Sequence, residues 1–282
     1  MERTIRKNLY GRITQCLSDI IHCERRYQMV QKKLTKALLW TLLFVCIESG
    51  QLLLAQEKTL NVYGPGGPLE PMKECAEIFS KTNRIEVKVV AGPESQWIAQ
   101  AKQDSDLIFG GAEYMLTQFV QNHPGLVDIK TRETLYIRAA GILVRKGNPK
   151  QIKSLRDLTK EGICLLDVNG AGQLGLWEDM AGAKGLIPGI QRNIALSVTT
   201  SAEAIEKWKA MPELDAWITF ESWHYRLKDV TDLVKLPKNE KTYRGTPIAI
   251  SRISKDKEKA RQFINFLRTE EAHKIFQKWG WK

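Results

Sequence analysis

Short apolar runs alternate with helical patterns along this chain, twice over, and the turns between them carry glycine. In the first series Leu60 to Tyr63 reads as a strand, and Met72, Cys75, Ala76 and Phe79 recur at helical spacing. Ile85 to Val90 alternates as a strand, Trp97, Ile98 and Ala101 mark a helix, and Leu107 to Phe109 is a third strand before a helix with Tyr114, Met115 and Phe119. Strands separated by crossover helices lie parallel, with helices on both faces of the sheet. A longer apolar run, Leu135 to Val144, stops at Gly147-Asn148-Pro149. The second series opens with the helix-start pair Ser154 and Asp157. Strands then read at Ile163 to Val168, Ile194 to Thr199, Ala216 to Thr219 and Leu233 to Leu236, with helices at Leu174 to Lys184 and Ala202 to Ala210. Ile248 to Ile250 and two helices carrying Phe263, Ile264, Leu267, Ile275 and Trp279 close the chain. The expected class is α/β, with two lobes, each a mostly parallel sheet flanked by helices, and a crossover hinge.

The beginning of the chain points outside the cytoplasm. Lys32, Lys33 and Lys36 precede an apolar run from Ala37 to Ile47, and Ala55 offers a cleavage point, so residues 29–55 read as a secretory signal. A membrane anchor is the competing reading, but a spanning helix needs about 20 apolar residues. Residues 1–28 carry scattered arginines and no period, and read as an extension outside the folded protein, with translation starting at Met29. The chain has 282 residues and a net charge of +11. Residues 1–55 hold nine Lys/Arg against four Asp/Glu, leaving 34 against 28 in the rest. That balance suits a small anion, whereas nucleic acid would call for a basic-aromatic recognition motif, which the chain lacks. Cys75 and Cys164, distant in sequence, read as unpaired small hydrophobes, and the isolated His123, His224 and His273 give no metal spacing. The expected protein is a monomer without metal or cofactor.

The chemistry gathers where strands turn into helices. Four such turns are glycine-rich: Gly64-Pro65-Gly66-Gly67-Pro68, Ala91-Gly92-Pro93 followed by Ser95, Gln96 and Trp97, Gly110-Gly111-Ala112-Glu113, and Asn169-Gly170-Ala171-Gly172-Gln173. Glycine lets backbone approach a ligand, and the carboxyl ends of strands in open α/β sheets are where ligands bind. Four equivalent turns split between two series predict one shared cleft, with Thr219 at a strand end facing it and Trp97, Trp177, Trp217 and Trp223 as candidate walls. Gly170, Gly172 and Gly175 also spell a dinucleotide fingerprint, so an oxidoreductase is the enzyme alternative. Against it, the next strand ends Val198-Thr199-Thr200 and not in an acid. Glu113 is a candidate general base, with dipole stabilisation of its own helix as the plainer role. Glu178 and Asp179 read as a solvated face.

Taken together, Val62 to Pro68, Ala91-Gly92-Pro93 with Gln96-Trp97, Asp106 to Met115, and Asn169 to Gln173 through Trp177-Glu178-Asp179-Met180 resemble the accessory colonization factor AcfC family. That family belongs to the type II periplasmic solute-binding superfamily, alongside sulfate and molybdate binders. The resemblance spans about residues 58 to 282. It implies two lobes, 56–137 with 247–282 and 138–246, joined by two crossover strands, with the ligand between them and an ABC permease receiving it. Extracellular sensing or adhesion is the other use such a fold implies. Where the oxyanion binders carry serine hydroxyls, this chain has Gly66, Gly67, Gly111 and Ala112, with Ser95 nearby. Arg138 and Arg244 fall in the expected crossovers, beside the cleft, and an arginine fork fits a carboxylate. Oxyanion and organic carboxylate both stay open.

Overall fold

The computed structural model describes residues 59–282; the expected extension at 1–28, the signal at 29–55 and its cleavage point lie outside the described residues. The first series forms β1 (Leu60–Gly64), α1 (Leu69–Asn83), β2 (Val87–Ala91), α2 (Ile98–Asp104), β3 (Leu107–Phe109) and α3 (Glu113–Asn122). Next come the long β4 (Glu133–Arg145), then β5 (Leu165–Val168), α4 (Leu176–Gly182), α5 (Ile187–Asn193) and β6 (Ile194–Val198). The chain continues through α6 (Ser201–Ala210), β7 (Ala216–Phe220), α7 (Ser222–Arg226), β8 (Thr231–Val234), β9 (Tyr243–Ile250), α8 (Lys257–Leu267) and α9 (Glu270–Lys278).

The strands join in one mixed sheet of order β2-β1-β3-β9-β4-β7-β5-β6, with β8 paired to β4. Pairing is parallel in β1–β2, β1–β3, β5–β6 and β5–β7, as the crossover helices demand. The two halves meet through β4 and β9, which run antiparallel with Ile137 opposite Gly245 and Arg138 opposite Arg244. β9 (Tyr243–Ile250) unites the expected crossover carrying Arg244 with the strand read at Ile248 to Ile250, pairing with β4 as well as β3. The expected helix from Ser154 is a 3-10 turn, Leu155–Thr159; the cap itself is as expected, Ser154 Oγ accepting from the Asp157 amide.

Strand alternation sets the core. Successive side chains of β1 and β3 point to opposite faces. Leu60, Val62, Leu107 and Phe109 join Met72 and Phe79 of α1, Phe263 of α8 and Phe276 of α9. Tyr63 and Ile108 face the other way, against Ala101 of α2 and Leu116 and Phe119 of α3. A separate cluster fills the other half around Ile142, Leu165, Trp208, Trp217 and Phe220. Cys75 is buried in the first half, and Cys164 is half-buried just before β5; both are free thiols. The chain's end is tied back: the indole of Trp281 donates to Thr246 Oγ1 at 2.8 Å, and the Lys282 amide donates to the Ile137 carbonyl at 2.7 Å. Among the described residues no helix is long and apolar enough to cross a membrane, and no cluster of acids, histidines and cysteines could hold a metal.

Candidate functional site: a cleft around a buried arginine

Five strand-to-helix loops line one cleft of about 490 Å³. They follow β1 (Pro65, Gly66, Gly67), β2 (Gly92, Gln96, Trp97), β3 (Gly110, Gly111), β5 (Ala171, Gly172, Gln173) and β6 (Thr199, Thr200, Ser201). The cause is topological: the strands of each half run parallel, so their carboxyl ends open on the same side.

β4 contributes Arg138, which is 2% exposed. Its guanidinium lies 3.8 Å above the Phe220 ring centroid and 5.7 Å from that of Trp281, and Nη2 donates to the Gly111 carbonyl. Nε is buried without a partner, and no carboxylate pairs with Arg138 among the described residues. Burial pushes the guanidinium pKa below its ordinary value, with the neighbouring Tyr114 and Glu113 acting the other way. A cation in this position has given up water for one carbonyl and two aromatic faces, so a bound anion would supply its missing counter-charge.

Three glycine loops approach this guanidinium closely, two of them leaving no room for a Cβ unless something shifts. A Cβ on Gly67 would lie 2.9 Å from Nη1, one on Gly111 3.3 Å from Nη2, and one on Gly172 2.7 Å from Nη2. The glycines singled out in the sequence for backbone approach to a ligand thus also make room for the arginine that would hold it. Between Gly170 and Gly172, Ala171 takes a left-handed φ of 49°.

Cross-cleft bonds join the two walls. The Tyr114 hydroxyl donates to the Ala171 carbonyl and accepts from the Leu174 amide at 3.1 Å. Burial raises the Tyr114 pKa, which keeps that hydroxyl protonated. Opposite, Arg226 Nη1 donates to the Gly66 carbonyl at 2.9 Å, and Nη2 stands 3.6 Å from Glu70. Gln173, almost wholly buried, donates to Ser201 Oγ at 3.0 Å and accepts from the Trp217 indole at 3.2 Å, tying the β5 loop to the start of α6.

Of the residues expected at the site, Gly66, Gly67, Gly92, Gln96, Trp97, Gly110, Gly111, Arg138, Ala171, Gly172 and Gln173 border the cleft. The others stand apart from its lining. Gly64 ends β1 against the Phe109 ring, Ser95 is exposed, and Ala112 is the buried residue before α3. Glu113 accepts from the Gly245 amide at 2.8 Å, a structural bond between α3 and β9. Asn169 is exposed and Gly170 lies against the Thr199 carbonyl. Thr219 is fully buried with its hydroxyl unpartnered. Arg244 reaches the other way, to Asp179 at 2.6 Å. Asp179 is exposed, as a solvated face implies, and pairs with Arg244 there. Trp223 and Trp97 border the cleft, whereas Trp217 lies behind it on Gln173 and Trp177 packs on the core. Sequence reasoning missed Arg226, Tyr114 as a bridge, and the Thr199-Thr200-Ser201 turn, which carries no glycine; its usable signal was the Thr200 cap before α6. Gly170, Gly172 and Gly175 open a 3-10 turn, Ala171–Gln173, before a helix of only 7 residues, and Arg138 occupies the space beside Gly172.

The model of the family described as bacterial extracellular solute-binding protein matches residues 60–282. Among solved structures, PEB3 bound to L-phospholactate is 31% identical, covers 79% of this chain and 99% of its own, and superposes with a TM-score of 0.74. Peb3 from Campylobacter jejuni gives 31% identity over the same shares and 0.73. The sulfate-binding protein SubI from Mycobacterium tuberculosis H37Rv, at 20% identity over 79% of this chain and 86% of its own, has a TM-score of 0.66, a likeness of fold alone. A comparison with curated protein sequences gives no match.

Proposed function

The chain belongs to the bacterial extracellular solute-binding protein family, and from that premise we propose that it captures one small anion, an oxyanion or an organic carboxylate, on Arg138 in the periplasm. The fold is the type II periplasmic binding protein fold, and both family and structural neighbours are solute binders, not enzymes. The observation that carries the reading is Arg138: buried, without a carboxylate, its fork bordering a cleft lined by glycine loops. PEB3 holding L-phospholactate supports an organic anion. The resemblance to AcfC-type proteins gives the same class. Residues 56–137 with 247–282 form one lobe and 138–246 the other; residues 29–55 direct export, with cleavage near Ala55, and an ABC permease takes the solute.

Calorimetry on the purified protein tests this with sulfate, molybdate, phosphate, L-phospholactate, dicarboxylates and acidic amino acids, each against Arg138→Gln. At least one anion should bind, and the substitution should cost about 2 kcal/mol or more, as for loss of a charged partner in a desolvated site. Unchanged affinity in Arg138→Gln would overturn the reading.

A further inference from the structure

The cleft holds more carbon and less charge than a site for an inorganic oxyanion needs. About 490 Å³ is open between the walls, while a water molecule takes about 30 Å³ of liquid and cavities of 300–1,000 Å³ hold organic ligands. Most of the charged groups bordering the cleft already have partners. Arg226 spends one donor on the Gly66 carbonyl and faces Glu70 at 3.6 Å. Glu94 pairs with His123 Nε2 at 2.7 Å. Arg138 alone has no acidic partner there, so the site asks for one negative charge.

Part of the wall is apolar, beside the polar turn Thr199-Thr200-Ser201 and the amides of Gln96 and Gln173. Leu69 and Met115 border the cleft half-buried, yet neither belongs to a hydrophobic core cluster, so what they have to cover is the cleft itself. Trp97 and Phe119 stand behind them, and the Trp97 indole N–H is already spent on the Gly92 carbonyl at 3.2 Å. The Trp223 indole N–H, by contrast, is buried without a partner beside the same cleft. We propose that the solute is a monoanionic organic acid with a carbon body: its carboxylate on Arg138, its body against Leu69, Met115 and Trp97, and a neutral acceptor oxygen for Trp223. This rests on the anion-receptor reading and narrows it.

Calorimetry separates the two claims. The probes are phenylacetate, 4-methylpentanoate and 4-methyl-2-oxopentanoate, against acetate, succinate, phosphate, sulfate and L-phospholactate. The carbon-bodied monoanions should bind at least tenfold more tightly than every other probe, the 2-oxo acid best among the aliphatic ones. Met115→Ala should weaken them about tenfold, and Arg138→Gln should abolish binding of all. Dianions or inorganic oxyanions binding as tightly as the monoanions, with Met115→Ala without effect, would overturn the narrowing and leave Arg138 as an anion site. Monoanion binding that survives Arg138→Gln would instead overturn the receptor reading.

Discussion

A guanidinium at 2% exposure that holds one carbonyl and no carboxylate has lost most of its hydration for little return. Removing it should separate affinity from stability. Arg138→Met keeps an unbranched stem over Phe220 and deletes the charge. Anion binding should vanish in calorimetry, while the ligand-free melting temperature holds or rises, because relief of the buried charge offsets the orphaned Gly111 carbonyl, about 1–3 kcal/mol. A melting temperature well below wild type would mean the charge is compensated within the fold. The glycines around it make a sharper test. Gly172→Ala would place a methyl 2.7 Å from Nη2 and 3.1 Å from the Gly111 carbonyl, neither of which can give way, whereas at Gly66 the nearest atom is a Cα at 3.8 Å. Gly172→Ala should therefore lose tenfold or more in anion affinity at an overpacking cost of about 1–3 kcal/mol, and Gly66→Ala should bind like wild type. Equal affinities would show that the glycine cradle is incidental. Arg138 and Arg244 looked alike in sequence because each sits in a crossing strand. What divides them is reach: Arg138 is enclosed by three loops, and Arg244 meets Asp179 on α4, a proximity no local pattern encodes.

Elements were legible where period was clear. The short apolar runs of β1 and β3, buried on both faces, were legible as strands, and their parallel pairing followed from the helices between them. The antiparallel joint of β4 and β9 was not legible, since pairing partners about a hundred residues apart leave no local trace. The capping signal at Ser154 was readable, but the helix it opens stops after one 3-10 turn. There Asp157 accepts from the Lys153 amide at 2.9 Å and from Ser154 Oγ at 2.9 Å, and meets Lys160 Nζ at 2.6 Å. Lys160 and that amide hold its carboxyl down to about 2. A carboxyl lowered on folding stabilises the fold above the unfolded value and loses that contribution as pH falls towards the folded one. Asp157→Asn should thus cost about 1–2 kcal/mol in urea unfolding at pH 7, the free energy of holding the proton off after solvent screening has weakened it. The difference should shrink between pH 4 and pH 2. A gap independent of pH would assign the effect to capping geometry alone.

At the scale of the molecule, β4 carries the chain from one half to the other and β9 brings it back, while the cleft walls are joined by direct bonds across the gap. Two connecting strands permit hinge bending, and a receptor of this kind binds by closing. The bonds made by Tyr114 and Arg226 need no solute, so they set how much of the ligand-free protein is already closed. Apparent affinity scales with that closed fraction. Tyr114→Phe removes the donor to Ala171 and the acceptor for Leu174 while keeping the ring, which Arg244 approaches at 5.9 Å. In small-angle scattering the ligand-free variant should have a larger radius of gyration than wild type, and the two should converge at saturating anion. Its dissociation constant should rise about three- to tenfold, through the closed population and not through any contact with the solute. Identical scattering and identical affinity would mean that the Tyr114 bridge merely decorates a rigid cleft. A raised dissociation constant with unchanged scattering would place Tyr114 in the binding surface itself, and the hinge would then have to draw its balance from Arg226 and Gly66 alone.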